Sequence, residues 1–119
     1  LKSYSDAKFQ SLSDLGFLPP SHLDFLNGLL PYHQTDDYLF IHAGVIPGEN
    51  LNECSLDRLL SVRDTFLKCE HQNEYTVVFG HTPFNMPFVA PGMIGIDTGA
   101  VYGNMLTAVL LPDLRFFHA

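Results

Sequence analysis

The fold is decided by the stretch VVFGHTP, residues 77–83. Its three apolar residues, two of them β-branched, predict a buried strand that stops at Gly80. His81 follows directly, ahead of Thr82 and the turn-forming Pro83. A strand that ends this way presents an imidazole from a loop, where it can reach a metal ion or a substrate.

A second stretch, YLFIHAG at residues 38–44, repeats the arrangement with His42 at the strand end and Gly44 close behind. For either histidine alone, a hydrogen-bonded side chain near a strand end is the commoner explanation. Two strands of similar length that both end in histidine favour the alternative. We therefore predict that His42 and His81 share a metal site.

The composition predicts one domain, spanning residues 1–119, that is a piece of a larger protein. The chain starts at Leu1, and 46% of its residues are apolar. Only 16% are charged, against about 25% in ordinary soluble domains. A small domain should carry more charge, not less, because it has more surface to cover. We expect a fragment of a larger core, or a chain that pairs along an apolar face and self-associates when alone.

Charge and cysteine content exclude several classes of protein. The net charge is −7 without a basic run, which argues against nucleic-acid binding. No apolar run is long enough to span a membrane, and no signal peptide is recognisable. Cys54 and Cys69 bracket a predicted helix whose ends lie ~20 Å apart, too far for a disulfide. Free thiols point to a reducing compartment, hence a cytoplasmic protein.

Periodicity predicts an α+β fold with two helices. Ser21 and Ser55 are N-cap candidates for helices over residues 21–30 and 55–68. No regular structure is predicted for residues 1–18 or for the polar connection 70–74, where His71 is expected to be solvated. The proline-rich loop 82–92 is predicted to be stiff and non-helical. The last two strands should form a hairpin. Four strands are predicted to lie in one sheet, with both helices outside it: 38–42, 77–81, 93–97 and 106–111.

Arg63 has two interpretations. It lies seven residues after Leu56 and four after Leu59, so a continuous helix would put it on the apolar face. A guanidinium there is costly unless it is paired or extends outward, for example by contact with Glu70 or by escape past the helix end. The functional alternative is an anion clamp, because the planar fork of arginine suits phosphate.

Four segments together resemble the C-terminal half of a bacterial-type serine/threonine phosphatase of the calcineurin-like metallophosphoesterase superfamily. They are YLFIHAG, SVRDTFL at 61–67, VVFGHTPF, and IGIDTGAVYG at 94–103. The resemblance runs from about His22 to the C-terminus in the order and spacing of that family. It implies the C-terminal half of an α/β/β/α metallophosphoesterase β-sandwich.

Carried over by position, the resemblance implies that His42 and His81 bind one ion of a two-metal pair of Mn, Fe or Zn. Arg63 would grip the phosphoryl oxygens of the substrate, and Tyr102 would lie at the rim of the cleft. The implied substrate of the intact enzyme is a phosphoprotein or a small phosphoester. No catalytic residue is assigned within this chain.

Three motifs of the family's first half are absent from the sequence: Gly-Asp-x-His-Gly, Gly-Asp-x-x-Asp-Arg-Gly and Gly-Asn-His-Glu. The chain therefore keeps only part of one metal site, and we expect it to be inactive without the missing N-terminal half. Two alternatives stay open. The intact protein could be a symmetrical dinucleoside-tetraphosphate hydrolase, or the chain could be a truncated, non-catalytic module.

Overall fold

The structure, a computed structural model, describes residues 18–70 and 74–119. The predictions made for residues 1–17 and for 71–73 lie outside these ranges. The chain divides into two compact units, residues 1–30 and 31–119, and each is described by itself. The expectation of a single domain over 1–119 stays a prediction.

The described part of the first unit contains helix α1, Pro20–Asn27. It starts one residue before the predicted boundary, with Pro19 rather than Ser21 as N-cap. Proline is well suited to the first helical position, because its missing N–H is not needed there. The helix stops at Gly28 rather than continuing to residue 30, since glycine is a poor helix former.

The second unit is built on a five-stranded mixed sheet. Its central strands β2, β3 and β5 run parallel, and the edge strands β1 and β4 run antiparallel to their neighbours. The spatial order is β1-β2-β3-β5-β4. The strands span Tyr32–Gln34 (β1), Tyr38–Ile41 (β2), Thr76–Phe79 (β3), Phe88–Ala90 (β4) and Met93–Gly95 (β5).

The register of the parallel strands brings their carboxyl ends to one edge. Leu39 pairs with Val77, and Val77 pairs with Met93. All three residues are buried, as expected for parallel strands covered on both faces. The residues that follow these strands therefore meet at the same edge of the sheet, which is the arrangement predicted for His42 and His81.

One part of the predicted sheet is wrong. The strand predicted over 106–111 forms β6, Thr107–Leu110, which pairs only with β7, Arg115–His118, in a separate two-stranded sheet. The main sheet has no room for it beside β5, because β4 occupies that side. The sequence analysis placed β4 inside a stiff loop and did not predict it. The hairpin prediction itself holds for β6 and β7.

The prediction of one continuous helix over 55–68 is also wrong. The segment forms two short helices, α2 (Leu56–Ser61) and α3 (Asp64–Leu67). Ser55 does occupy the predicted N-cap position. Arg63 lies at the break, with φ −135° and ψ −100°. The break frees its side chain from the apolar face, so the guanidinium is exposed instead of desolvated.

No helix in the described ranges is long and apolar enough to cross a membrane.

The two helices pack against the sheet through their apolar residues. Leu59 of α2 and Phe66 of α3 are almost completely buried. The Phe66 ring meets Phe79 of β3 edge-on, with centroids 4.9 Å apart. The same core includes Leu39, Ile41, Ala43, Val45, Ile46, Cys54, Val62, Val77 and Met93. The sheet and α3 are thus held together directly behind the two histidine-bearing strand ends.

Gly44 allows the loop after His42 to lie against this core. Its φ is +145°, and a Cβ built on it would lie 2.5 Å from the Phe66 ring. Gly48, with φ +77°, has nothing within 4 Å of the corresponding position. The two glycines share the need for a positive φ, but only Gly44 also needs the space.

We expect Gly44→Ala to lower the free energy of unfolding by about 3 kcal/mol, from overpacking added to backbone strain. The matched control Gly48→Ala should lower it by about 1 kcal/mol, from backbone strain alone. Urea unfolding of both variants measures the difference. Equal losses for the two would show that Phe66 does not restrict the loop at Gly44.

Candidate functional site

His42 and His81 lie side by side at the carboxyl edge of the sheet. His42 directly follows β2, and the Gly80 amide donates a hydrogen bond of 2.8 Å to the His42 carbonyl oxygen. The ring atoms Nε2 of His42 and Nδ1 of His81 are 3.2 Å apart. This meets the expectation from a shared ion, for which the two nitrogens must approach within ~4 Å.

The His81 side chain is directed by an unusual turn. The Thr82 amide donates to the Gly80 carbonyl oxygen at 2.7 Å, which closes a three-residue γ-turn with His81 at its centre. His81 has φ +66°, and positive-φ γ-turns are rare and strained. Residues other than glycine that are held in such a strained backbone conformation are found mainly at functional sites. The sequence predicted a Gly/Pro-bounded turn here but not its type.

The imidazole pair fits part of a metal site. Two nitrogens that each lie ~2.1 Å from one ion can be no more than ~4.2 Å apart, and the observed pair satisfies this limit. Within residues 18–70 and 74–119, no group of three or more His, Cys, Asp or Glu side chains is placed to hold an ion. The remaining ligands of a complete site would have to come from outside the described residues.

The electrostatic surroundings of His81 disfavour its protonated form. Partial burial of the ring lowers the pKa of His81 below its ordinary value, and the neighbouring Arg63 and His42 side chains lower it further. The Asp97 carboxylate acts in the opposite direction but is outweighed. Since only the neutral ring has a lone pair to offer, this environment favours the form that can bind a metal ion.

Asp97 is the third polar residue at this edge, and the sequence analysis did not assign it to the site. It lies two residues beyond β5, and its Cβ is 3.6 Å from the Cβ position of Gly80. Its Oδ1 accepts a hydrogen bond of 3.0 Å from the Gly99 amide. The available signal was its position after a third strand of similar type, which the parallel pairing of β3 and β5 turns into proximity.

A hydrogen-bond chain fixes the turn that carries Asp97. The Thr98 hydroxyl donates to the Met105 carbonyl oxygen at 2.7 Å and lies 2.6 Å from the Thr107 hydroxyl. Thr107 must then donate to Thr98, because Thr98 has only one proton. The Nδ1–H of His118, at 3.0 Å, completes the chain by donating to Thr107. The β6–β7 hairpin is therefore hydrogen-bonded to Thr98, the residue directly after Asp97.

Arg63 is close enough to His81 to lower its pKa, although it leaves the helix at the break rather than pointing from an apolar stripe. Its side chain is exposed. It makes no ion pair with Glu70 or with any other part of the chain that the structure describes. An exposed guanidinium whose charge acts on His81 is compatible with the anion-clamp interpretation, which stays a prediction.

Tyr102 lies in a short 3₁₀ turn, Ala100–Tyr102, on the loop that follows Asp97. Its Cδ2 is 3.7 Å from the Cβ position of Gly99, and the Cβ of Pro83 is 3.8 Å from that same position. The side chain is nevertheless 81% exposed. This geometry is compatible with the predicted place at the rim of a cleft. Its role toward a substrate stays a prediction, as do those of His42, His81 and Arg63.

Several curated proteins are similar to the chain in sequence. The bis(5′-nucleosyl)-tetraphosphatase PrpE (asymmetrical) of Bacillus mycoides is 39% identical over 76 residues, which are 64% of this chain and 28% of that protein. The protein of the same name from Anoxybacillus flavithermus is 28% identical over 115 residues, 97% of this chain and 44% of that protein. The chain thus spans less than half the length of these relatives.

A solved structure has the same fold. A crystal structure of a candidate diadenosine tetraphosphatase superposes with a TM-score of 0.74 at 22% sequence identity, covering 94% of this chain and 60% of that one. The mixed sheet with few helices is therefore a metallophosphoesterase-like fold, as predicted. No family model matches the chain.

These comparisons support the resemblance at the level of the metallophosphoesterase superfamily, to which the relatives and the structural neighbour belong. The relatives named above are hydrolases of phosphoesterase type. Neither they nor the structural neighbour carries the name of a protein phosphatase. The serine/threonine phosphatase subtype inferred from the four segments consequently finds no support in these comparisons.

The lowered pKa of His81 gives a pH prediction. In metal-free buffer, the ring carbon signals of His81 should titrate with a midpoint below the ordinary histidine value. Between the His81 pKa of the folded chain and the ordinary pKa of the unfolded chain, the unfolded chain binds more protons. The contribution of His81 to the free energy of unfolding is therefore fully present above the ordinary pKa, and it is lost as the pH falls through the pKa of the folded chain.

NMR titration of the chain and urea unfolding at several pH values provide the two measurements, with His81→Gln as the comparison. The variant should lack the His81 component of the pH dependence. A His81 midpoint at or above the ordinary histidine value would contradict the electrostatic account.

Proposed function

We propose that the chain is the C-terminal part of a metal-dependent hydrolase of dinucleoside tetraphosphates. The observation that carries this proposal is the 3.2 Å approach of His42 Nε2 to His81 Nδ1. The similarity to tetraphosphatases supports the substrate class. It favours the dinucleotide over the phosphoprotein as substrate.

The residues of this chain have separate roles in the proposal. His42 and His81 hold a divalent metal ion through neutral ring nitrogens, and Mn, Fe or Zn is compatible with imidazole. When bound, such an ion supplies Lewis acidity and positive charge for phosphoryl transfer. Arg63 binds the non-bridging oxygens of a phosphate with its planar guanidinium. The positive charges of the metal ion and of Arg63 would offset the net charge of −7 at the place where an anionic substrate has to bind.

Asp97 completes this part of the site as a positioning residue. Its carboxylate opposes the depression of the His81 pKa and is held in place by the Gly99 amide. A carboxylate beside a metal-binding histidine typically orients the ring and strengthens it as a ligand. The hydrogen-bond chain from Thr98 through Thr107 to His118 keeps the Asp97 turn in place.

The complete site needs ligands from outside the described residues, because two imidazoles are fewer than the four ligands usual for a tight site. We propose that an N-terminal half supplies the second ion's ligands and the acid for the leaving group, so that the 119-residue chain alone is inactive. The exposed apolar side chains of the hairpin, including Leu106, Leu110 and Phe117, suit a chain that self-associates when purified by itself.

Product analysis tests the substrate and the position of cleavage. With Mn²⁺ present, the protein joined to its N-terminal half should cleave diadenosine tetraphosphate to ATP and AMP, the asymmetrical pattern in the names of the relatives. Formation of ADP alone would indicate the symmetrical alternative. A phosphopeptide measured in parallel should react more slowly.

The 119-residue chain without the N-terminal half is the matched control, and it should release nucleotide no faster than buffer. Preference for the phosphopeptide would return the protein-phosphatase interpretation. Failure to cleave either substrate when joined would favour a non-catalytic module. Turnover by the chain alone would show that the reaction depends on residues other than those assigned.

Arg63 can be tested separately from the metal site. In the active, joined protein, Arg63→Ala should lower turnover about 100-fold, because the guanidinium stabilises charge that develops on the phosphoryl oxygens. Metal content, measured by atomic absorption, should not change. Arg58→Ala is the control, since Arg58 pairs with Glu49 at 2.7 Å on the exposed surface. Equal effects of the two substitutions would assign Arg63 to the surface only.

A further inference from the structure

Two loops that begin at the functional edge each carry exposed apolar side chains. The loop after His81 presents Met86, which is 70% exposed, and the loop after Asp97 presents Val101 and Tyr102, which are 87% and 81% exposed. We call these three residues the apolar shelf. Exposed apolar side chains are common one at a time, but apolar side chains on two loops that leave the same edge are typical of a binding surface.

Hydrogen bonds hold the backbone of the turn that carries Val101 and Tyr102, although both side chains are exposed. Gly99 and Gly103, with φ of +72° and +87°, bound the 3₁₀ turn on both sides. The turn is closed by hydrogen bonds from the amides of Tyr102 and Asn104 to the Gly99 carbonyl oxygen, 2.9 and 3.2 Å long. The backbone therefore gives Tyr102 a defined place before any ligand binds.

A further hydrogen bond joins the two loops. The side-chain amide of Asn104 donates to the Asn85 carbonyl oxygen at 3.2 Å, next to Met86. Tyr102 packs its ring edge near Gly99, whose Cβ position is also 3.8 Å from the Cβ of Pro83. Pro83 is two residues from His81, so the turn that carries Tyr102 lies against the segment that follows His81. Most of the Tyr102 surface faces solvent.

We propose that the apolar shelf binds a nucleobase, with the Tyr102 ring as the stacking surface. The inference rests on the proposed function, because a dinucleoside tetraphosphate has a flat, apolar base at each end of its phosphate chain. In the proposed function His42 and His81 are engaged by the metal ion and Arg63 by a phosphate, so the base needs a different partner. The shelf supplies this at the same edge, and a rigid aromatic side chain loses little entropy when a base stacks on it.

The test compares two ligands that differ only in the nucleoside. ATP and inorganic tripolyphosphate are titrated, with Mg²⁺, into the 119-residue chain carrying labelled tyrosine rings, and Tyr102→Phe identifies the Tyr102 signals by their loss. ATP should shift the Tyr102 ring signals upfield through stacking, whereas tripolyphosphate should leave them in place. This readout requires binding but no hydrolysis.

Substitutions separate stacking from other effects. Tyr102→Ala should weaken ATP binding about tenfold, and Tyr102→Phe should bind ATP nearly as well as the unsubstituted chain. Phe25→Ala removes another exposed aromatic ring, 68% exposed on α1, and should change nothing. A Tyr102→Ala variant that binds ATP normally would overturn the proposal, as would the absence of ATP binding.

Sedimentation equilibrium distinguishes a competing occupant. If Tyr102→Ala lowers self-association and leaves ATP affinity unchanged, the shelf is a protein interface and the nucleobase proposal fails. The proposed function fails by a different result, namely no cleavage of diadenosine tetraphosphate by the joined protein. ATP stacking on Tyr102 without such cleavage would retain the shelf and reject the reaction.

Discussion

The hydrogen bond from the Gly80 amide to the His42 carbonyl oxygen, 2.8 Å long, sets the distance between the two histidines. It continues the parallel ladder of β2 and β3 by one step beyond the strands. Because a backbone bond at that point leaves little freedom for either Cα, the γ-turn at His81 has only to direct one side chain toward the other. Ring nitrogens 3.2 Å apart are the result.

The other parts of the site are arranged around this pair by interruptions of regular structure. The break between α2 and α3 leaves Arg63 exposed, and its charge acts on His81. The Asp97 turn beyond β5 is held by the Thr98–Thr107–His118 hydrogen-bond chain. Buried apolar contacts, above all Phe66 against Phe79, provide the fixed base. A rigid core with polar groups on its loops is a common division of roles in enzymes.

How much of this the sequence revealed depended on the range of the interactions involved. Strands β2, β3 and β5 and the meeting of His42 with His81 followed from apolar runs that end in glycine and histidine, which are local signals. The place of β6 did not, because it is decided by β4, a three-residue strand within a proline-rich segment. Tertiary pairing overrides the local pattern there.

The break at Arg63 was missed for a related reason. Leu56, Leu59 and Phe66 keep helical spacing across residues 55–68, and no proline or glycine marks the interruption. The cost of burying a guanidinium was recognised from the sequence, but the chain avoids it by changing its backbone rather than by pairing with Glu70. Asp97 was overlooked because its proximity to His81 arises only from the β3–β5 pairing.

Paramagnetic broadening by Mn²⁺ tests most directly whether the histidine pair binds one ion. Mn²⁺ is added in substoichiometric steps to the 119-residue chain while the ring signals of its six histidines are followed by NMR. The account predicts that the signals of His42 and His81 broaden together before the others, and that His42→Ala removes the effect at His81. Broadening of His81 that persists in His42→Ala, or that begins at other histidines, would contradict a shared site.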